Sequence, residues 1–127
     1  MTFDIVSFGS AVIDTFVNTD VSNKNHFLHY PVGAKMLIND LKFDVGGGGT
    51  NTAVAFSRLG LKTGCISAVS GDTNGKMILD LLKKEKIKFL GPIKKNKEMT
   101  GYSVILDSRD KDRTILTYKG VNNHIKP

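Results

Sequence analysis

The stretch from Asp44 to Gly64 reads DVGGGGTNTAVAFSRLGLKTG, and how it is read decides the fold. Four positions in a row, Gly46 to Gly49, carry no side chain just where a helix-like pattern begins. Thr50 stands where an N-cap would. Ala53, Val54, Phe56 and Leu59 then fall within one apolar arc, and Gly60 makes a natural C-terminal stop. Such a run has three readings. Backbone N–H groups at a helix N-terminus can cradle a phosphate. The P-loop form is excluded because no Lys follows the glycines, and the dinucleotide form fits poorly because the run lies far from the first strand and lacks the third spaced Gly. Alternatively, adjacent glycines absorb large backbone rotations and form a hinge. Lastly, bare backbone admits a small polar ligand, to which Asn51 would present both a donor and an acceptor. The plain alternative for Asn51 is a helix-start residue that satisfies local backbone.

Outward from this stretch, strands and helices alternate. Ile5 to Phe8 is an apolar run ending at Gly9, the mark of a buried strand. The polar, punctuated segment TFVNTDVSNKNHFLHYPVG reads as a loop or edge region. In MLINDLKFDV, Leu41, Phe43 and Val45 alternate with Lys42 and Asp44, the pattern of a half-exposed strand. KTGCISAVSG is small and apolar and reads as a strand buried on both faces. Asp72 or Thr73 can cap the next helix, where Met77, Ile78, Leu81 and Leu82 are predicted to face inward. IKFLGPIKK is predicted as another strand. TGYSVILDS and RTILTYKG, separated by the charged RDKD, read as an antiparallel hairpin that could pair with MLINDLKFDV. The alternation implies an α/β fold with parallel strands joined by helical crossovers, plus a small separate β-sheet.

Composition narrows the function. The 127 residues suffice for a compact unit with a core, and no apolar run reaches the length of a membrane span. The opening MTFDIVSFGS lacks the basic start and long apolar stretch of a signal peptide, so a cytoplasmic location is expected. One cysteine, Cys65, cannot make a disulfide framework and reads as a small buried apolar residue. His26, His29 and His124 have no acidic or Cys neighbours at ligand spacing, so no metal site is expected. The net charge of +6 comes from 15 Lys and 3 Arg against 12 acidic residues, and it concentrates in KKEKIKFLGPIKKNK, Lys83 to Lys97. That cluster lacks the Arg and interleaved aromatics that read or stack on bases, which favours a solvated lysine face over nucleic-acid binding.

Asp14, just past the first strand in FGSAVID, is the other residue of interest. Ligands bind at the C-terminal ends of parallel strands, and a carboxylate there can accept two sugar hydroxyls. A solvated loop carboxylate is the plain alternative.

Taken together, GGGGTNTAVAFSRLG followed by ISAVSGDTNG resembles the first signature of the ribokinase-like (PfkB) carbohydrate kinase family. VSFGSAVIDTFV resembles the family's opening strand with its sugar-contacting Asp, and TGYSVILDSRDKDRTILTYKGVNN its lid hairpin and the Gly-x-Asn that follows. The resemblance runs in order over the whole chain, residues 1–127. It implies a three-layer α/β core with a parallel sheet, and a small β-sheet lid inserted at about residues 15–45 and 100–119. It implies transfer of the γ-phosphate of ATP, with Mg²⁺, to a hydroxymethyl group of a sugar, sugar phosphate or nucleoside. By the same resemblance Asp14, Gly46, Gly47 and Asn51 contact the substrate, with Ser103 and Tyr118 as further contacts from the lid strands, and the glycine pair acts as the switch on lid closure. A homodimer through the lid is compatible with it. No nucleic-acid or membrane partner is implied.

Two departures stand out. Ribokinases proper often carry Lys where Gly48 stands and Asn where Val12 stands, which argues against ribose itself. The family's second signature, Asp-x-x-Gly-Ala-Gly-Asp, with the catalytic base, and the ATP pocket do not occur in these residues; SGDTNG, Ser70 to Gly75, belongs to the first signature. The expectation is therefore a fold truncated at its C-terminus, with no catalytic residue of its own, inactive as a kinase and prone to self-association through uncovered apolar surface. The alternative function is a non-catalytic sugar-binding or regulatory module.

Overall fold

The computed structural model describes residues 2–95 and 97–126. In chain order the elements are β1 (Ile5–Phe8), β2 (Val12–Asn18), β3 (Asn23–Lys24), β4 (Phe27–Leu28), β5 (Asp40–Gly46), α1 (Gly48–Arg58), β6 (Thr63–Ile66), β7 (Val69–Ser70), α2 (Thr73–Lys84), β8 (Lys88–Phe89), β9 (Ile93–Lys94), β10 (Gly101–Asp107) and β11 (Arg113–Tyr118), followed by a 3₁₀ turn, Gly120–His124.

They form the expected α/β arrangement. One sheet is parallel in the order β1-β6-β8, with β7 and β9 making a short parallel pair beside it. Ser7 and Cys65 are paired across β1 and β6 and share a face. On that face both helices pack: Ala53 of α1 and Ile78 and Leu82 of α2 join Cys65, Val69 and Ile87 in one buried cluster. The Ser7 hydroxyl reinforces the contact by donating to the Gly49 carbonyl at 2.9 Å. The opposite face carries Val6, Phe8 and Leu90, which are 43%, 50% and 42% exposed. That apolar face is open.

The second sheet has four strands in the order β11-β10-β2-β5. The β10–β11 hairpin is antiparallel as expected, and β5 belongs to the same sheet. The hairpin does not pair with β5, however. Strand β2 lies between them, parallel to β10 and antiparallel to β5. The polar sequence reads as a loop or edge region, yet β2 is an inner strand: Asp14, Asn18 and Thr19 hide the alternation of Ile13 and Thr15, which are both buried. Asp14 is accordingly a residue within a strand rather than one in the turn beyond β1.

Three smaller corrections follow. Helix α1 starts two residues before Thr50, with Gly47 as its N-cap, and Thr50 instead donates its hydroxyl to the carbonyls of Gly46 and Gly47 from inside the first turn. Leu59 is 77% exposed and Met77 40% exposed, so neither joins the core. The segment IKFLGPIKK is two short strands, broken at Gly91 and Pro92. Asp72 does cap α2, accepting from the Gly75 N–H at 2.8 Å.

Candidate substrate site at the glycine junction

The four-stranded sheet meets the core at the glycine run. Strand β5 ends at Gly46, α1 begins at Gly48, and Gly47 alone joins them with φ +99°. A Cβ at Gly47 would also collide with the Ser10 carbonyl, so only glycine fits both the conformation and the space. At Gly46 a Cβ would run into the Asp14 carboxylate. Here the close approach of two strands, rather than φ, demands the absent side chain.

The phosphate-cradle reading loses ground on the same geometry. The first amides of α1 are already engaged: Gly48 N–H donates to Ser10 Oγ at 3.3 Å and Gly49 N–H to the Ser10 carbonyl at 3.0 Å. These bonds tie the helix start to the segment linking β1 and β2.

Register decides which side chains meet. Asp14 pairs with Asp44 on one side and with Ser103 on the other, and Ser103 pairs with Thr117. Cross-strand partners share a face, so Asp14, Asp44, Ser103 and Thr117 form one polar row across all four strands. Ser103 Oγ and Thr117 Oγ1 are 3.1 Å apart. Tyr118 pairs with Tyr102 and therefore lies on the other face, where the Thr15 hydroxyl donates to the Tyr102 oxygen at 2.6 Å. The structure thus brings Asp14, Gly46 and Ser103 together and leaves Tyr118 apart.

Asn51 lies in the first turn of α1, exposed, and its backbone N–H donates to the Gly47 carbonyl at 2.9 Å. Its side-chain amide has no hydrogen bond among the described residues. Asn51 and Asp44 border one concavity of about 430 Å³. Val12 and Thr117, two residues along from Asp14 and opposite Ser103, border another of about 410 Å³, together with Ser10 and Asn122.

The sequence reading gave no site role to Asp44 or Thr117, and quoted Asn122 only as part of the Gly-x-Asn motif. For Asp44 a signal was available: it stands two residues before Gly46 in a strand, hence on the same face. Asn122 belongs to the Gly-x-Asn turn. Its amide grips Ala11 at both ends, with Ala11 N–H donating to Oδ1 at 3.1 Å and Nδ2 donating to the Ala11 carbonyl at 2.8 Å. This pair of hydrogen bonds spans 111 residues and fixes the start of β2 to the segment after β11.

Electrostatics distinguish the acids. Burial pushes the Asp14 carboxyl above the usual range, and the neighbouring Asp44 charge pushes it further, partly offset by a hydrogen bond from Ser103. At Asp72 burial acts upward too, but bonds from the Thr100 hydroxyl and N–H and from the Gly75 N–H outweigh it and hold the carboxyl below its ordinary value. Asp72 is thus fully engaged in capping and in tying Thr100 down. Cys65 is buried, and burial raises its thiol, with a smaller opposing effect from Ser7, which makes it an inert core residue.

Comparison with known proteins places the chain. Residues 2–127 match the model of the pfkB family carbohydrate kinases. The chain belongs to that family. It is 29% identical over 126 residues to a ribokinase of Bacillus subtilis, covering 98% of this chain and 40% of that protein. It is 38% identical over 85 residues to a 5-dehydro-2-deoxygluconokinase of Clostridium perfringens, covering 67% of this chain and 22% of the relative. Among solved structures, the ribokinase of Giardia lamblia superposes with a TM-score of 0.78 at 25% identity, over 99% of this chain and 39% of that one. The fructokinase of Halothermothrix orenii gives a TM-score of 0.76 at 25% identity, over 97% and 40%. The chain spans about two fifths of the length of the ribokinase it matches from end to end. The PfkB family is one of sugar kinases, phosphotransferases acting on carbohydrates. No described helix is long and apolar enough to cross a membrane.

Proposed function

We propose that this chain is the substrate-binding and lid portion of a cytoplasmic PfkB kinase that phosphorylates a hydroxymethyl group of a sugar, sugar phosphate or nucleoside with ATP. The observation that carries the reading is the row Asp14–Ser103–Thr117 facing one way from the four-stranded sheet, directly at the one-residue glycine junction with the core. In this reading the sheet is the lid, residues 12–46 and 101–118, and rotation at Gly47 brings it over the substrate.

The roles follow from the groups. The Asp14 carboxylate accepts hydroxyl hydrogens, and two such bonds replace the water that burial has removed from it. Ser103 and Thr117 donate or accept according to the hydroxyl presented. Asn51 can bridge a further hydroxyl from the core side. Gly46 and Gly47 keep the junction bare, so a ring can lie against backbone. Together these groups bind and orient; they hold the acceptor hydroxymethyl in place.

ATP and Mg²⁺ belong to the reaction of the whole enzyme. The described residues do not fit either group. No three His, Cys, Asp or Glu side chains converge among them, the α1 amides are bonded to Ser10, and Asp72 is committed to Thr100 and Gly75. The expected outcome for the chain alone is sugar binding without phosphoryl transfer.

Calorimetric titration with ribose, fructose and adenosine, on the wild-type chain and on Asp14→Asn, tests this. Binding of at least one ligand that Asp14→Asn weakens tenfold or more is expected. No binding of any of the three, or binding indifferent to Asp14, refutes the site, and measurable turnover with ATP refutes the division of labour.

A further inference from the structure

A concavity larger than either of those at the glycine junction lies elsewhere. A cleft of about 900 Å³ lies at the opposite end of the parallel sheet, where β1, β6 and β8 begin. Its apolar lining comes from Phe3 ahead of β1, Leu79 of α2 and Phe89 of β8. Around them stand Lys62, Lys83, Lys86 and Lys88, and none of the residues lining the cleft is acidic.

The nearby acids are occupied elsewhere. The Glu85 carboxylate pairs with Arg58 at 2.6 Å, Asp80 pairs with Lys76, and Asp4 accepts the Lys62 backbone N–H at 2.7 Å. No ion pair reaches any of the four lysine ammonium groups among the described residues. The lysine cluster of the sequence is thus split. Lys83, Lys86 and Lys88 turn to this cleft with Lys62, while Lys94, Lys95 and Lys97 border a different concavity that also contains Asp72 and Glu98.

Lys86 adds a second observation. It ends α2 in the left-handed region, φ +58°, with its N–H bonded to the Lys83 carbonyl and the Ile87 N–H bonded to that of Leu82. This is the turn at which helices ordinarily place Gly, because any side chain strains it. Here a lysine occupies it and lines the cleft.

We propose that this cleft binds a small amphiphilic anion, its alkyl or aryl body lying along Phe3, Leu79 and Phe89 and its carboxylate, sulfonate or phosphate head among the four lysines. The volume suits a ligand of that size. Four like charges around an apolar floor repel one another when the cleft is empty, and an anionic head relieves that repulsion. The apolar body supplies the specificity that a bare lysine patch lacks. The site is independent of the glycine junction, so sugar binding and anion binding can fail separately.

Titration of the chain with decanoate, followed by calorimetry and by backbone amide shifts, is the test, with decanol and inorganic phosphate as single-feature probes. Saturable one-to-one binding of decanoate is expected, at least tenfold tighter than either control, with shifts concentrated at residues 79–89. The double substitution Lys83→Glu/Lys86→Glu should weaken it tenfold or more, and Lys94→Glu/Lys95→Glu should change it less than twofold. Lys86→Gly is the variant that keeps the fold safe: it should raise the urea midpoint yet weaken decanoate several-fold. Absence of saturable binding, equal effects of the two double substitutions, or unchanged binding by a stabilised Lys86→Gly overturns the proposal. So does a single-stranded oligonucleotide that binds where decanoate does not.

Discussion

Replacing Asp72 by Ala should be among the most damaging single changes to this chain, although the residue is only half-buried and lies outside the polar row at the glycine junction. Its carboxylate accepts three hydrogen bonds: from Gly75 N–H at 2.8 Å, from Thr100 N–H at 2.9 Å and from the Thr100 hydroxyl at 2.6 Å. The Thr100 oxygen in turn accepts the Ser70 N–H at 2.9 Å, and Thr100 is wholly buried. Loss of an N-cap costs about 0.5–2 kcal/mol. Leaving the buried Thr100 N–H unpaired costs about 1–3 kcal/mol more. The two losses share one side chain and water can reach part of it, so they do not add fully, and about 3 kcal/mol is the expected total. With a urea slope of about 1.5 kcal/mol per molar, the midpoint should fall by about 2 M at unchanged slope. Asp72→Asn keeps an acceptor for Gly75 but presents an amide donor to the Thr100 N–H, or the reverse, and should lie between. The pH dependence follows from the lowered pKa. The unfolded carboxyl binds its proton more readily than the folded one, so the Asp72 contribution is complete above the unfolded value near 4 and disappears as pH falls through the folded value. The gap between wild type and Asp72→Ala should therefore close in acid. A midpoint for Asp72→Ala within about 0.5 M of wild type at neutral pH, or a gap indifferent to acid, would falsify the assignment of Asp72 as a structural tie.

Asp14 should behave in the opposite sense. Its folded pKa is raised, so its contribution favours the fold below the unfolded value and is lost as pH rises through the folded one. Asp14→Asn should consequently be more stable than wild type at pH 7 and no more stable at pH 3, as read by thermal melts at the two values, and Asp44→Asn should bring the Asp14 carboxyl back down in a carbon-detected titration. Gly47→Ala meets both a φ of +99° and the Ser10 carbonyl. It should cost about 2–3 kcal/mol in urea unfolding, whereas Gly48→Ala, which sits in a helix with open space around its Cβ, should be neutral or stabilising by up to about 1 kcal/mol. Equal costs at the two positions would mean that the junction is not strained as described.

Much of this was legible in the chain of letters. The apolar run Ile5 to Phe8, the arc Ala53–Val54–Phe56 and the alternation Leu41–Phe43–Val45 are periodic signals, and periodicity is what local sequence encodes. Asp72 was recognisable as a cap because capping is a contact between neighbours, three residues apart. The glycine run announced a junction, although only Gly47 needs the positive φ that glycine alone adopts easily. The family, too, was readable from GGGGTNTAVAFSRLG and ISAVSGDTNG in order.

What the sequence left undecided depends on pairing across long stretches of chain. Strand β2 looked like a loop or edge segment because its polar residues answer to partners 22 to 30 residues away on β5 and 89 away on β10, and nothing local reveals them. The same register put Asp44 and Thr117 into the polar row with Asp14 and Ser103 and sent Tyr118 to the other face. A shift of one residue in a strand reverses every side chain, so neighbours in sequence such as Thr117 and Tyr118 end on opposite sides for a reason only the sheet contains. The division of the lysines between two ends of the molecule is likewise a matter of where α2, β8 and β9 pack. Periodicity, caps and glycines, being local, determined the elements and the family of this protein. Register and packing, being long-range, decided which side chains share the polar row beside the glycine junction.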